Sequence, residues 1–255
     1  MLEPKYALVR QPSPLMPIAC ELTHMHRAPI DMDLAVHQHA HYAEALTNLG
    51  LLVTVLPPLD GHADCAFVED TFILLPEIAI QCRLGTAPRL GEGASVASEF
   101  TNIEIALIEA PATIEGGDVL RIDRTLYVGV GTRTNEAGIC ALAKIAEPLG
   151  YVVVAVPTPS ALHLKTACTA LSPSVFLANR DWIEAKAFGD VQFVNVDPSE
   201  PFAGNTLTVG DTILLPAAHP RTAAKVEALG LKTELIDISE FTKAEAGLTC
   251  MSLLW

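Results

Sequence analysis

Five polar residues recur at nearly regular intervals, each a little after an apolar, strand-like segment. They are Asp64, Glu115, His163, Asn205 and Cys250, and neighbouring members lie 42 to 51 residues apart. Such spacing is typical of repeated supersecondary units. Four of the five are residue types that catalyse reactions, and equivalent turns of a repeat would bring a thiol, a base and two carboxylates to one pseudo-symmetry axis. The pattern predicts a cysteine-based active site that acts on a cation.

The candidate nucleophile, Cys250, follows Gly247 closely near the end of the sequence. A buried structural cysteine is the alternative interpretation, because free cysteines are among the most buried residues. A thiol with a pKa of about 8.5 is only a few per cent thiolate at pH 7, so a nucleophilic Cys250 needs a cationic neighbour. A bound guanidinium or His163 could supply that charge. His163 lies between two leucines, where a histidine can equally be a satisfied core residue.

Carboxylates are the second group of candidates. Glu115 precedes two glycines that let the backbone approach another group closely, although a plain turn explains the same residues. Asp64, Glu69 and Asp70 place three carboxylates within seven residues around an apolar pair. If this segment is half-buried, its carboxylates are costly unless a cation neutralises them, which predicts a cationic substrate. A solvated acidic surface is the alternative.

Two arginines and a group of histidines complete the candidates. Arg89 and Arg133 lie in turn-rich segments of a chain with 16 basic residues, and are either solubilising side chains or a bidentate clamp for a carboxylate. Among the N-terminal histidines, His37 and His41 share a helix face, but no third ligand follows at a recognisable spacing, so no metal site is predicted. The sequence contains no Walker loop, G-x-G-x-x-G or G-x-S-x-G, which argues against nucleotide binding and serine hydrolysis.

The composition argues against several classes of function. The chain has 255 residues, half of them apolar, and a formal charge of −14 that opposes binding to nucleic acid. No signal-peptide pattern is visible, and the longest apolar runs are far shorter than the roughly 18 residues that span a bilayer. Six cysteines without a C-x-x-C pair are not a disulfide framework. We therefore expect a cytoplasmic protein that binds neither nucleic acid nor membranes.

The elements that must position these residues repeat as strand, polar turn, strand or hairpin, then helix. The sequence predicts a hairpin turning at residues 122–124, a helix over 136–149, a strand over 170–177, a short helix over 180–187 and a helix over 220–229. No linker or low-complexity stretch divides the sequence, so residues 1–255 are expected to form one domain.

The fifth repeat lacks a helix of its own. Its last predicted strand, 233–236, is followed by Cys250 and a short apolar segment. The N-terminal strand 6–10 and the first helix, which is capped near Asp31 and stops at Gly50, are expected to complete this repeat. The chain would then close a ring and protect its sheet edges.

Six short motifs together resemble the dimethylarginine dimethylaminohydrolase family of the guanidine-modifying, or pentein, superfamily. They are FVED (67–70), EGGD (115–118), RTN (133–135), HLKT (163–166), LPAAHPRT (215–222) and TCMS (249–252). The resemblance runs over nearly the whole chain. It implies an α/β fold of five pseudo-symmetric ββαβ blades, the pentein propeller, which agrees with the five repeats.

The resemblance also implies roles for individual residues. Cys250 resembles the nucleophile, His163 the general acid and base, and Glu115 the carboxylate that orients the histidine and holds the guanidinium. Asp70, with Glu69 beside it, resembles the carboxylate that binds the guanidinium nitrogens.

Five more residues resemble contacts for the amino-acid end of a substrate. Asp64 and the backbone of Leu22 match contacts for an α-amino group, and Ala244 matches a main-chain contact. Arg89 and Arg133 resemble the pair that binds an α-carboxylate.

The chemistry implied is hydrolysis of Nω-methylated arginine to citrulline and an alkylamine through a covalent cysteine thiouronium, without a metal or organic cofactor. An arginine deiminase-like hydrolase of arginine or another guanidino compound is an alternative, although such enzymes are typically longer. A non-catalytic pentein that works by binding is the alternative from another class. We expect a small cationic guanidino amino acid as the partner; the sequence leaves the oligomeric state open, including a homodimer.

Overall fold

The computed structural model describes residues 4–255, and its strands form five three-stranded sheets. In every sheet a central strand pairs antiparallel with one neighbour and in parallel with the other. A parallel pair needs a crossover connection, and the intervening helices and turns supply it. We call each sheet with its crossover a blade.

The N-terminal part of the chain contributes to the last blade. Its elements are β1 (Tyr6–Arg10), α1 (Met16–Ala19), α2 (Met32–Asn48) and β2 (Leu52–Leu56). The first complete blade consists of β3 (Phe72–Leu74), β4 (Ala79–Gln81), α3 (Glu92–Ala97) and β5 (Ile105–Leu107). The second consists of β6 (Val119–Ile122), β7 (Thr125–Val130), α4 (Glu136–Ala146) and β8 (Val152–Pro157).

The remaining blades follow the same order. The third contains α5 (Leu164–Ala167), β9 (Cys168–Ser172), β10 (Val175–Ala178) and β11 (Gln192–Asn195). The fourth contains β12 (Leu207–Val209), β13 (Thr212–Pro216), α6 (Pro220–Glu227) and β14 (Lys232–Ile236). After α7 (Ser239–Thr242), β15 (Ser252–Leu254) joins β1 and β2 to form the fifth. The architecture is a five-bladed pseudo-symmetric α/β propeller, as predicted.

The third blade departs from the sequence prediction. The strand expected over 170–177 is a hairpin of β9 and β10, because the Ser172 hydroxyl accepts hydrogen bonds from the Ser174 and Val175 amides and turns the chain around a proline. The helix expected over 180–187 is two 3-10 turns, Arg180–Trp182 and Ala185–Phe188.

Ring closure occurs at β1, as predicted. This buried strand pairs with β15 through Leu8–Leu253 and Val9–Ser252, and with β2 on its other side. Ser252 comes directly after the 3-10 turn Thr249–Met251, which carries Cys250. The pairing of the N-terminal strand therefore fixes the position of the cysteine.

Helix α2 supports the same region from behind. Asp31 caps the helix by accepting a hydrogen bond from the Leu34 amide, as expected of an N-terminal aspartate. The buried Tyr42 hydroxyl donates to the Leu248 carbonyl at 2.8 Å and lies 2.8 Å from the Ser252 hydroxyl. These contacts hold both ends of the cysteine turn against the helix.

The first strand of each blade is preceded by a short turn, and these turns carry the functional candidates. The residues two positions before those strands are Asp70, Gly117, Thr166, Asn205 and Cys250. Asp64 lies farther upstream, so Asp70 and not Asp64 is the counterpart of Cys250. His163 and Glu115 are N-cap residues of their turns, and His163 is thus not the counterpart that the spacing predicted. The regular intervals therefore combined residues that occupy different positions in their turns.

Two further features concern the cysteines and the helices. All six cysteines are free thiols, and Cys140 is exposed. Within residues 4–255, none of the helices is both long and apolar enough to cross a lipid bilayer.

His39, on the inner face of α2, is buried to 2% exposure and packs against Phe241. Its Nε2 atom has no hydrogen-bond partner among the described residues. Burial lowers the pKa of His39 to about 4, although a hydrogen bond with the Arg10 backbone opposes this shift. A folded-state pKa below the ordinary value of about 6.5 means that stability is lost as the pH falls from about 6.5 to 4.

We predict that His39→Leu reduces the acid sensitivity of folding. The free energy of unfolding of the unsubstituted protein should fall by up to about 3 kcal/mol more than that of the variant between pH 7 and pH 4, as measured by urea titration. His37→Leu, at an exposed position of the same helix, is the control. An identical pH dependence for the two variants would contradict the assignment.

Candidate active site

The turns meet around one pocket. Seven of the predicted site residues line it, namely Asp64, Asp70, Arg89, Arg133, His163, Ala244 and Cys250. The cavity volume open to a water-sized sphere is about 20 Å³, which is room for about one water molecule. Sequence reasoning missed Glu21, Phe67, Leu162, Glu245 and Ala246, which also line the pocket.

Cys250 lies at the base of this pocket and is 7% exposed. Its Sγ accepts a hydrogen bond from the Gly247 amide at 3.4 Å. Burial and the nearby carboxylates of Glu69 and Asp70 raise the pKa of the thiol to about 12. The cysteine is therefore protonated near neutral pH until another charge enters the pocket.

His163 lines the same pocket and is protonated near neutral pH. Its Nε2 donates a hydrogen bond to Oε2 of Glu115 at 2.6 Å, and its Nδ1 lies 3.9 Å from Asp70. Burial alone would lower the pKa of His163, but Asp70, Asp118 and Glu115 outweigh it and raise the pKa to about 9. Near neutral pH the pair is an imidazolium and a carboxylate.

Glu115 is fully buried behind the histidine. Burial favours its neutral form, but the hydrogen bond from His163 outweighs that effect, with help from Arg89 and Arg133, and lowers the pKa of Glu115 to about 2. Its second oxygen accepts a hydrogen bond from the Gly85 amide at 2.8 Å. Glu115 is thus held ionised and oriented, although it does not line the pocket itself.

Asp118 supports the histidine from the other side and was not among the predicted site residues. It accepts hydrogen bonds from the Leu164 amide at 2.9 Å and from the Thr134 hydroxyl at 2.6 Å. Burial raises its pKa to about 6. The aspartate of the EGGD motif therefore fixes the turn that carries His163; the motif was the available sequence signal.

Both glycines of that motif are required by close approach, as predicted. A Cβ atom on Gly116 would lie 2.0 Å from the Glu69 carbonyl oxygen. A Cβ atom on Gly117 would lie 2.6 Å from Oδ1 of Asp70 and 2.8 Å from Nδ1 of His163. The Gly117 amide also donates to Asp70 at 3.1 Å. Side chains here would push the two functional groups apart.

Arg89 already occupies a guanidinium site inside the protein. Its NH1 donates to Oδ2 of Asp70 at 2.7 Å, and its Nε and NH2 atoms donate to Glu92 at 2.9 to 3.3 Å. The same NH1 lies 3.9 Å from Glu115. Arg89 is buried and is not a solubilising surface arginine. Glu92, its main partner, gave no signal in the sequence.

Glu69 lies outside the pocket lining. Its carboxylate forms an ion pair with Lys165 and accepts a hydrogen bond from the Thr249 hydroxyl at 2.7 Å. Because both of its oxygens are engaged there, Glu69 contacts the turn of Cys250 from below. The carboxylates of Glu69 and Asp70 therefore point to different partners.

Four of the five residues predicted to contact the amino-acid end line the pocket, and Leu22 does not. Oδ2 of Asp64 accepts a hydrogen bond from the Glu21 amide at 3.0 Å, and burial raises the pKa of Asp64. Leu22 does not line the pocket and packs against the apolar core around α2. Arg133 NH2 donates to the Thr23 hydroxyl at 3.2 Å.

Glu245, which lines the pocket, binds the exposed N-terminal segment 21–27. Its carboxylate accepts hydrogen bonds from the amides of Thr23, His24 and Met25 at 2.5 to 2.9 Å. Its backbone adopts the left-handed region, with φ at 60°. Asp64 and Glu245 thus hold the two sides of this segment, next to Ala244.

Solved structures identify the class of protein. The fold matches that of a dimethylarginine dimethylaminohydrolase mutant from Pseudomonas aeruginosa complexed with citrulline, with a TM-score of 0.94, 30% identity and complete coverage of both chains. The N-terminal domain of ArgZ, an arginine dihydrolase in cyanobacteria, shares the fold with a TM-score of 0.87 at 19% identity, over 98% of this chain and 97% of that one. The chain has the pentein fold of guanidine-modifying proteins.

Sequence similarity identifies the family within this class of protein. A family model described as arginine deiminase matches residues 99–200. A dimethylarginine dimethylaminohydrolase from Streptomyces coelicolor is 38% identical over 251 residues, which cover 98% of this chain and 96% of the relative. The chain belongs to the dimethylarginine dimethylaminohydrolase family.

The ion pair of His163 and Glu115 leads to a prediction. In Glu115→Gln the pKa of His163 should fall from about 9 by about one to three units, because an adjacent negative charge is lost. Histidine-selective NMR titration measures this shift. Glu109→Gln, at an exposed position, is the control and should leave the pKa unchanged. An unchanged pKa in Glu115→Gln would show that the pair does not set the charge of His163.

Proposed function

We propose that this protein hydrolyses Nω-methylated arginines, such as asymmetric dimethylarginine and monomethylarginine, to citrulline and the alkylamine. The observation that carries the proposal is the convergence on one pocket of the Cys250 thiol, Asp70 and His163, which is hydrogen-bonded to the buried Glu115. Family membership and a neighbour complexed with citrulline support the same substrate class.

The pocket is suited to a guanidinium. Asp70 binds the guanidinium group of Arg89 at 2.7 Å, and Glu115 lies 3.9 Å from the same nitrogen. These distances support the ability of both carboxylates to hold such a group. A substrate guanidinium near Asp70 would stay cationic, and its central carbon would remain electrophilic.

The bound cation also explains how Cys250 becomes nucleophilic. Burial and the carboxylates raise the pKa of the thiol to about 12, so a guanidinium beside it is needed to favour the thiolate. The proton leaves to solvent, because His163 is already protonated. The substrate itself therefore activates the nucleophile.

The reaction then proceeds in two halves. The thiolate attacks the guanidinium carbon, and His163 donates a proton to the substituted nitrogen, which leaves as the alkylamine. The C–S bond of the resulting thiouronium is broken after water attacks the same carbon, while neutral His163 takes a proton from that water. Nδ1 is the atom available for both transfers, because Nε2 is bound to Glu115. The products are citrulline and the alkylamine, and no cofactor enters.

Asp70, Glu115 and His163 also offer ligand atoms within 4.8 Å of one another, which is a spacing suited to a metal ion. Arg89 donates to Asp70 at 2.7 Å and lies 3.9 Å from Glu115, so these carboxylates already hold a guanidinium nitrogen in this structure. We propose that the cation held here is the guanidinium.

The amino-acid end of the substrate lies towards the N-terminal segment in this proposal. Arg133 and Arg89 bind the α-carboxylate, and Asp64 with the backbones of Leu22 and Ala244 binds the α-amino group. Because the pocket has about 20 Å³ of space, side chains must move to admit a substrate. Arg89 would exchange a carboxylate of the protein for that of the ligand.

Deimination of arginine is the second candidate. The match of residues 99–200 to the arginine deiminase family model favours it, because that model covers His163 and Glu115. The two activities share their chemistry and differ in the size of the leaving group. Substrate preference therefore decides between them.

We expect Cys250→Ser to abolish turnover with the fold intact. Citrulline is measured after incubation with dimethylarginine, monomethylarginine and arginine separately, and thermal unfolding checks the fold. Cys140→Ser, at an exposed free cysteine, should keep full activity. Preference for arginine would move the protein to the deiminase class, and an active Cys250→Ser protein would overturn the mechanism.

A second prediction concerns the carboxylate end. Arg133→Ala should lower kcat/KM for dimethylarginine about 100-fold, because a buried charge pair is lost. Arg133 also lies 3.8 Å from Glu115, so dimethylagmatine, which lacks the α-carboxylate, should lose some activity too, but at least about tenfold less than dimethylarginine; the ratio of the two substrates isolates the contact. An equal loss for both substrates would refute carboxylate binding by Arg133.

A further inference from the structure

Asn205 contacts the turn that carries Cys250 and is 3% exposed. Its Oδ1 accepts a hydrogen bond from the Thr249 amide at 3.0 Å. Its Nδ2 donates to the Thr249 hydroxyl at 3.0 Å and to the Lys165 carbonyl at 2.9 Å. Both amide hydrogens and the amide oxygen of this side chain are used, and two of the three bonds reach the residue next to Cys250.

The hydrogen-bond directions in this region are consistent around a closed loop. Thr249 accepts from Asn205 and donates its hydroxyl hydrogen to Glu69 at 2.7 Å. Glu69 is paired with the Lys165 ammonium, and the Lys165 carbonyl accepts from Asn205. Four blades are thereby joined beneath the cysteine turn. Breaking one bond leaves a buried polar group without its partner, which is costly.

Asn205 also contacts the other end of the turn. A Cβ atom on Gly247 would lie 2.3 Å from Cγ of Asn205, so the backbone of Gly247 packs directly on the amide. The Gly247 N–H points at Sγ of Cys250 at 3.4 Å. One side chain therefore sets the positions of Thr249, which precedes the thiol, and of Gly247, which donates to it.

We propose that Asn205 is a positioning residue for the nucleophile, which holds the 247–250 turn so that the Cys250 thiol and the Gly247 N–H stay aligned. The inference deepens the proposed function and rests on it for the role of Cys250. Asn205 does not line the active-site pocket, and it acts through its contacts with Thr249, Gly247 and Lys165.

Asn205→Ala should lower kcat about 10- to 100-fold and change KM less than about threefold, because the reacting atom moves while the substrate contacts remain. A second readout needs no substrate. Alkylation of Cys250 by iodoacetamide, followed by mass spectrometry of its peptide, should slow at least fivefold at a given pH in the variant. Cys140 serves as the internal reference.

Asn179→Ala is the matched control. Asn179 is another buried amide, which donates to the Pro201 carbonyl at 3.1 Å and lies away from the pocket. This variant should unfold at a lower temperature and keep the kcat and the alkylation rate of Cys250. Asn205→Asp keeps the size and the acceptor for the Thr249 amide, and it tests the role if the alanine variant does not fold.

Gly247→Ala supplies a coupled test. In the unsubstituted protein the new methyl group would strike Asn205, so activity and alkylation should fall. In the Asn205→Ala background the two nearest atoms are gone and only the Cβ of residue 205 remains close, at 2.7 Å, so the additional effect should be smaller than in the unsubstituted protein. Additive effects, or unchanged alkylation in both Asn205 variants, would overturn the positioning role. Because alkylation is independent of the substrate, it separates this failure from a wrong choice of substrate.

Discussion

Buried negative charge at the centre of the ring is the constraint on which the site depends. Six buried carboxylates gather there, from Asp64, Glu69, Asp70, Glu92, Glu115 and Asp118. Four cationic side chains face them, from Arg89, Arg133, His163 and Lys165. Burial makes an unpaired carboxylate energetically costly, and each of these cations is held in an ion pair with one or more of the carboxylates. The remaining imbalance favours a further cation, which agrees with a guanidinium ligand.

The same charge distribution sets the resting protonation of the reactive pair. Carboxylates keep His163 protonated and Cys250 neutral, so neither group is poised for attack by itself. A bound cation favours the thiolate of Cys250 only when it lies beside the thiol. The thiol is therefore mostly protonated near neutral pH while no such ligand is bound.

The role of a site residue could be predicted when it depends only on neighbouring residues in the sequence. The two glycines of EGGD and the capping Asp31 were interpretable because a close approach or a helix start is a property of a few neighbouring residues. Glu92 and Lys165 were not, because their significance comes from Arg89 and Glu69, which the fold brings close. Regular spacing found the turns, but it could not separate N-cap residues such as Glu115 and His163 from residues two positions before a strand, such as Asn205 and Cys250. It also selected Asp64, which lies upstream of both positions, instead of Asp70.

The third blade shows the same limit for the fold. Hydrophobic patterning over 170–177 predicted a continuous strand, whereas two hydrogen bonds to Ser172 fold it into a hairpin. The fifth blade was predictable from topology, because a closed ring leaves no other partner for the N-terminal strand. Global constraints were thus more informative than local propensity where the two differed.

The pairing of β1 with β15 has a consequence for folding. These strands are separated by more of the chain than any other paired strands in the ring, and contacts between distant segments form late because their loop-closure entropy must be paid first. Four blades can therefore bring together the buried carboxylates and the arginines before Cys250 reaches its position. Enzymatic activity in this protein reports that the ring has closed, and not merely that its blades have folded.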